Sequence, residues 1–187
     1  SPPRPSALAG DPYSGPDDLR ADLVTVAAGL AMDGDGALSS GGALGRLIRA
    51  VEIFGFHLAT LDLRQDSAIH DAALAALLGD ADWATREVDD RVDRLHGVLK
   101  NPAAVPACSD EVAVKTLAVF RTVARLRPRY GAQAFGPYIV SMSRSAADAL
   151  AVIALASIAG HVDESGNAPL DVAPLFETVA DLDAAEA

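Results

Sequence analysis

Tyr138-Ile139-Val140-Ser141-Met142 is an aromatic and β-branched run set between Gly136-Pro137 and Ser143. Its length and composition predict a buried strand, because branched and aromatic side chains pack well on a pleated surface. Ser145, with Asp148 three residues on, has the spacing of a capping box and opens an apolar helix that ends at Gly160. A polar loop from Val162 to Ala168 follows, and then Asp171 to Glu177 predicts a further strand. Strand, helix and strand in that order pair in parallel through a right-handed crossover. The fold class is therefore α/β.

Upstream, the pattern from Leu58 to Arg64 alternates, with Leu58, Thr60, Asp62 and Arg64 on one side and Ala59, Leu61 and Leu63 on the other. That predicts a short strand ending in an arginine. Asp66 or Ser67 then caps a helix whose apolar residues Ile69, Leu74, Leu77 and Leu78 run up to Gly79. Val88, Val92, Leu95, Val98 and Leu99 predict a helix with Asp89, Asp90, Arg91 and Asp93 outside, broken by Asn101-Pro102. Ser109 caps a longer one carrying Val112, Leu117, Phe120, Val123 and Leu126, which should stop before Pro128.

The first part of the chain reads as helix over 16–31, glycine-rich surface loop over 33–42, and helix from Leu44 to Phe54 ended by Gly55. Residues 1–15 are rich in Pro, Gly and Ser and read as a flexible lead-in, with residues 16–187 an incomplete segment of one helix-rich α/β domain. The acidic Asp33-Gly34-Asp35-Gly36 invites a calcium-loop reading. An EF-hand would place Glu at the twelfth position, where Leu44 stands, and this argues against it.

Composition narrows the function. The chain has 187 residues, half of them hydrophobic and 22% charged, and a net charge of −11. That balance repels a phosphate backbone, so nucleic acid is not an expected partner. The longest apolar stretch, Ala149 to Ala159, falls short of the roughly 20 residues a bilayer crossing needs, so no membrane partner is expected. Lone Cys108 forms no internal bridge and no zinc-type spacing exists, which points to a reducing cytoplasm.

In barrels of alternating strands and helices, reacting groups sit at the carboxyl ends of the strands. Arg64 and Glu177 each close an expected strand, which singles out one cation and one carboxylate by position. Arg64 can instead pair with Asp62 or Asp66, and Glu177 can cap a helix beginning near Thr178. A separate reading groups His57, Asp62, Asp66 and His70 into a hydrolytic metal site. These residues straddle a strand and a helix, and His57 reads as a packed core residue, with His96 and His161 on the surface. Three strands cannot close an eight-stranded barrel of about 250 residues. Either the sheet is small and helix-covered, or the chain is a slice of a longer polypeptide. The polar run up to Ala187, without an evident stop, favours the slice.

The stretch Phe54-Gly55-Phe56-His57-Leu58-Ala59-Thr60-Leu61-Asp62-Leu63-Arg64-Gln65-Asp66-Ser67, with His70 after it, resembles a segment of the phosphoenolpyruvate carboxylase family. Tyr138-Ile139-Val140-Ser141-Met142 with Asp148-Ala149-Leu150-Ala151-Val152 resembles the family's next signature. Val172-Ala173-Pro174-Leu175-Phe176-Glu177-Thr178, followed by Asp181-Leu182, resembles a third. The resemblance covers roughly residues 44 to 187, with a shortened stretch around Asp80 to Pro106.

This resemblance implies a helix-rich fold with part of a (β/α)8 barrel, in a cytoplasmic lyase that joins phosphoenolpyruvate and bicarbonate to give oxaloacetate and phosphate. It implies Mg2+ or Mn2+ as cofactor and, for the whole enzyme, a homotetramer. Arg64 takes the place of an arginine that binds the substrate phosphate, and Glu177 that of one carboxylate ligand of the metal. The family's essential histidine, in a Thr-Ala-His-Pro-Thr motif, has no counterpart in residues 1–43. Its second metal carboxylate, catalytic lysine, glycine-rich loop and aspartate-inhibitor site belong beyond Ala187. Ala147 stands where many relatives have Ser. The resemblance thus implies no catalytic residue in this chain and no activity from it alone. The alternative is a noncatalytic helical remnant or assembly module of the same family.

Overall fold

The computed structural model describes residues 12–163 and 165–183. Most of the expected lead-in lies outside the described residues. The chain divides into two compact units after Ala59.

In the first unit, α1 (Pro16–Met32) starts with Pro16 in the first turn and Asp17 and Asp18 beside it, residues that suit the positive end of a helix. Gly34, at φ 93°, ends that run. The loop expected over 33–42 is instead largely a short helix, α2 (Gly36–Gly41). Glycine disfavours helix by only about 1 kcal/mol per residue, and packing of α2 against α1 and α3 (Ala43–Phe54) outweighs it. Arg20 Nε reaches Glu52 Oε1 at 2.8 Å and ties α1 to α3. Gly55 stops α3 at φ 51°, where a side chain would stand 3.0 Å from His57 Nδ1.

The second unit holds a three-stranded parallel sheet in the order β1 (Leu61–Asp66), β2 (Phe135–Ser141), β3 (Val172–Pro174). β1 starts three residues later than the alternation predicts. The Leu58 N–H still donates to Phe54 O at 3.0 Å, so Leu58 belongs to the turn closing α3 and has φ 67°. The strand then runs past Arg64 to Asp66, which places the arginine inside β1 rather than at its end. β2 begins earlier than predicted, at Phe135. The register slips between Leu61, opposite Phe135, and Leu63, opposite Tyr138, which accommodates Gly136-Pro137 in the extra length. β3 is shorter than predicted. Leu175 N–H still reaches Val140 O at 2.8 Å, but Glu177 and Thr178 turn their N–H groups to Asp181 Oδ2 and enter α8 (Val179–Asp183).

Helices α4 (Ser67–Leu78), α5 (Val88–Lys100), α6 (Glu111–Tyr130) and α7 (Ala146–Ile158) complete the unit. Asp66 caps α4 by accepting from Ala68 N–H at 2.8 Å, and Gly79 ends it in the left-handed region. The cap of α6 is Asp110 rather than Ser109, accepting from Val112 and Ala113 N–H. α6 also continues through Pro128 to Tyr130. A proline near the end of a helix forgoes one hydrogen bond, and the Gly131 N–H to Arg127 O bond at 2.9 Å still closes the last turn. The Ser145 and Asp148 capping box of α7 forms as its spacing predicts.

Tyr138, Val140 and Leu63 face the helices, joining Leu74, Leu77, Trp83, Leu95, Phe120, Val152 and Leu155 in the core. Tyr138 stacks on Phe120 with centroids 5.2 Å apart. Alternation sends Asp62, Arg64 and Asp66 to the opposite face. The fold is therefore helix-rich α/β with three parallel strands, and the described residues do not close a barrel.

Candidate functional site

Arg64, Ile139 and Ala173 lie in one row across the sheet, on the face that the core does not use. From that row the arginine stem reaches toward the carboxyl ends of the strands, and Nη2 meets Glu177 Oε1 at 2.9 Å. Glu177 stands three residues past β3. Neither alternative pairing forms: Arg64 bonds neither Asp62 nor Asp66, and the cap of α8 is Thr178 with Asp181. Asp181 Oδ2 accepts from the Glu177 and Thr178 N–H groups at 3.1 and 2.9 Å, and Thr178 Oγ1 accepts from Asp181 N–H at 3.1 Å. Hydrogen bonding by the Thr178 side chain first, and then by the Thr178 and Glu177 N–H groups, holds the Asp181 carboxyl below its usual range. These bonds fix the backbone that presents Glu177.

The pair is exposed, with side-chain exposures of 58% for Arg64 and 35% for Glu177. Among the described residues only one guanidinium nitrogen is engaged, so the rest of the fork is open to an oxyanion. Beside the pair, the strand ends are laced together: Ser67 Oγ donates to Met142 O at 2.8 Å and Ser141 Oγ to Gln65 O at 3.2 Å. Met142 there has φ 57°, a left-handed conformation that costs a non-glycine residue energy.

Of the four residues of the proposed hydrolytic metal site, the three in the second unit, Asp62, Asp66 and His70, are not brought together. His70 lies on α4 in the core, its Nε2 2.9 Å from the Tyr138 hydroxyl, whereas Asp62 and Asp66 lie on the other face of β1. Burial lowers the His70 pKa to about 4 and raises that of Tyr138 to about 12, so both are neutral near pH 7. Among the described residues no group of three or more His, Cys, Asp or Glu side chains is placed to hold a metal ion. His57 is half-buried rather than a core residue, and His161, expected on the surface, is only 4% exposed because it is tucked behind the end of α7. His96 is exposed, as its place on α5 predicts.

Sequence reasoning missed a buried ionic cluster behind the strand ends. Arg91, expected outside, is 5% exposed and shares Nη2 between Asp71 Oδ1 at 2.5 Å and Asp148 Oδ1 at 3.2 Å. Trp83 Nε1 donates to the same Asp71 oxygen at 3.0 Å. The second Asp148 oxygen accepts from the Arg144 and Ser145 N–H groups, so the cluster anchors the loop between β2 and α7. Burial, ahead of the opposing pull of Arg91, raises the Asp71 pKa. A signal was present: Arg91 falls on the same stripe of α5 as Leu95 and Val98.

Parallel strands backed by helices, with a cation and a carboxylate meeting where the strands end, define a helix-rich α/β protein. The family model described as phosphoenolpyruvate carboxylase matches residues 4–187. The chain belongs to the phosphoenolpyruvate carboxylase family. It is 42% identical over 170 residues to the phosphoenolpyruvate carboxylase of Xanthomonas campestris pv. campestris, covering 91% of this chain and 19% of that protein. Identity to the enzyme of the same name from Mycobacterium avium is 39% over 181 residues, covering 91% of this chain and 19% of the relative. With that of Rhodopseudomonas palustris it is 36% over 182 residues, covering 93% and 19%. The chain thus spans about a fifth of the length of the relatives it matches.

Proposed function

We propose that these residues form part of the (β/α)8 barrel of a cytoplasmic phosphoenolpyruvate carboxylase, a lyase joining phosphoenolpyruvate and bicarbonate into oxaloacetate and phosphate. On this reading Arg64 binds the substrate phosphate, Glu177 binds Mg2+ or Mn2+, and the rest of the site comes from sequence outside these residues. The whole enzyme is a homotetramer, and the chain alone is inactive. What supports the assignment is the meeting of Arg64 and Glu177 at 2.9 Å from strands that are not neighbours, in a chain of this family.

A guanidinium fork offers paired donors to a phosphoryl group, which a lysine would hold as a point charge. Glu177 is a hard oxygen donor of the kind Mg2+ takes, and one such carboxylate with water and substrate oxygens is a common set for that ion. The donor type fits, and Glu177 is the member of the set that the resemblance gives. When bound, the metal offsets negative charge on the enolate and phosphoryl oxygens. In the reaction a bicarbonate oxygen attacks phosphorus, the bond from phosphorus to the enol oxygen breaks, and carboxyphosphate and the enolate of pyruvate result. Carboxyphosphate then splits into carbon dioxide and phosphate, and the enolate carbon attacks the carbon dioxide to form the new carbon–carbon bond of oxaloacetate. Arg64 holds the phosphoryl group in line and stabilises its charge through that displacement. Without ligands, Arg64 and Glu177 neutralise each other. Substrate and metal would separate them.

The test is made in the longer enzyme that carries this segment. Arg64→Ala should raise KM for phosphoenolpyruvate and lower kcat/KM at least tenfold, about 1.4 kcal/mol of lost transition-state stabilisation. Glu177→Gln should raise the metal concentration needed and lower kcat. Wild-type kinetics in both variants would overturn the site assignment.

A further inference from the structure

At the other end of the strands from Glu177, two adjoining cavities of about 500 and 220 Å3 share Arg127, Ala132 and Pro169. The larger is within the range of metabolite pockets. It is bounded by the last turns of α6 and by the loop after α7. The smaller reaches Phe135 at the start of β2 and Asp171 just before β3.

Two side chains in this cleft have polar groups left without a partner among the described residues. His161 is 4% exposed and its buried Nε2 has no hydrogen-bond partner among the described residues. Buried polar atoms are nearly always paired, and an unpaired one costs folding free energy. Arg127 is half-buried, and its guanidinium makes no hydrogen bond or ion pair among the described residues. A partly desolvated guanidinium without an anion is likewise costly. The two are close enough for Arg127 to add to burial in holding the imidazole below its ordinary pKa. His161 is accordingly neutral near pH 7 and in its Nε2–H tautomer offers a donor.

The surrounding charges leave room for an anion. Asp163 Oδ1 is committed to its own loop, accepting from Ser165 and Asn167 N–H at 2.9 Å each. Asp171 is exposed, and its backbone oxygen accepts from Tyr138 N–H. Arg129 shares the last turn of α6 with Arg127, and Arg125 and Arg121 lie earlier on the same helix, in a chain of net charge −11. Arg129 lies over the Tyr130 ring at 5.5 Å.

We propose that the cleft lined by Arg127 and His161, at the amino-terminal ends of β2 and β3, binds a small doubly charged oxyanion of the phosphate-ester kind. The guanidinium fork takes two of its oxygens and the His161 Nε2–H a third. The proposal does not depend on the roles given to Arg64 and Glu177.

The experiment titrates inorganic phosphate, and separately succinate, into the full chain at constant ionic strength while long-range 1H–15N NMR follows the His161 ring nitrogens. The expected result is a saturable shift at Nε2 with phosphate. Its affinity should fall at least tenfold in Arg127→Gln and by less in Arg127→Lys. Far-UV circular dichroism identifies any variant that fails to fold, and Arg127→Lys carries the comparison if Arg127→Gln does. Saturation by phosphate alone supports a phosphate ester; saturation by succinate as well supports a cleft that takes dianions generally. An unsaturating response to both anions overturns the proposal. So does an affinity lowered equally by Arg125→Gln, which would mark a diffuse charge effect.

Discussion

Arg64 and Glu177 lie 113 positions apart in the chain, and Nη2 of the first stands 2.9 Å from Oε1 of the second. Their strands are not neighbours, since β2 runs between them. The contact therefore depends on the order of all three strands and on the short α8 cap that turns Glu177 back over the sheet. Its energetic worth is small. An exposed ion pair gains little from Coulomb attraction in water and loses side-chain freedom, leaving about 0–1 kcal/mol. Arg64→Ala and Glu177→Gln should each shift stability in urea denaturation by no more than that. Loss of function in either variant would then be a loss at the site. A destabilisation of about 2 kcal/mol or more would show that the pair is structural.

Arg91 makes the opposite case. Its guanidinium serves two carboxylates that are almost wholly buried, Asp71 at 3% exposure and Asp148 at 2%. Removing one partner of a buried ionic group strands the remaining charge, at about 3–5 kcal/mol. Arg91→Ala should lower the unfolding free energy by that amount, whereas Arg94→Ala on the exposed side of the same helix should stay within about 1 kcal/mol. Comparable losses in the two variants would show that the cluster carries no special burden.

These two residues also mark what was legible in the sequence. The order of elements, the parallel strands and the capping residues Asp66, Ser145 and Asp148 follow from local chemistry, in which a side chain caps the turn it begins. Position and resemblance single out Arg64 and Glu177, yet Arg64 lies inside β1 and Glu177 stands three residues past β3. The boundary of β1 depends on a backbone bond from Leu58 to Phe54, and that of β3 on Asp181 capturing two N–H groups. Both are decisions between competing partners that periodicity does not record. Arg91 was misread because a charge on a helix is usually solvated. Its partners come from α4 and α7, elements 20 and 57 residues away. The second helix, over Gly36–Gly41, was misread for a related reason: local propensity opposed it and tertiary packing formed it.

Met142 tests the strain at the end of β2. At φ 57° its side chain crowds the backbone, a cost of about 1–3 kcal/mol for a non-glycine residue. Glycine at that position would relieve the crowding but gives back about 0.5–1 kcal/mol through the freedom of the unfolded chain. Met142→Gly should therefore be neutral or stabilising by about 1 kcal/mol. Met142→Val, β-branched and ill suited to this region, should destabilise by about 1–2 kcal/mol. Thermal or urea melts of the pair decide it. The ordering glycine below methionine would mean that the side chain itself, and not the backbone, holds the turn.

His70 gives a pH dependence with a definite sign. Burial, against weaker opposing pulls from Asp148 and Asp66, lowers its pKa from 6.5 to about 4. In the unfolded chain it takes a proton near pH 6.5, while the native state resists until about pH 4. Between those values the unfolded state binds more protons, so acid favours unfolding. The stabilisation is complete above pH 6.5 and is lost as pH falls toward about 4. Asp71 works in the other direction: with its native pKa raised, the folded state takes up its proton first and gains stability as pH drops. The His70 contribution is thus best read as a difference between proteins sharing every other group. His70→Gln removes the titration while leaving an amide that can bond the Tyr138 hydroxyl. Between pH 7.5 and 5, wild type should lose about 2 kcal/mol more stability than His70→Gln in urea denaturation. Parallel stability curves for the two proteins across that range would show that His70 is free to ionise in the native fold.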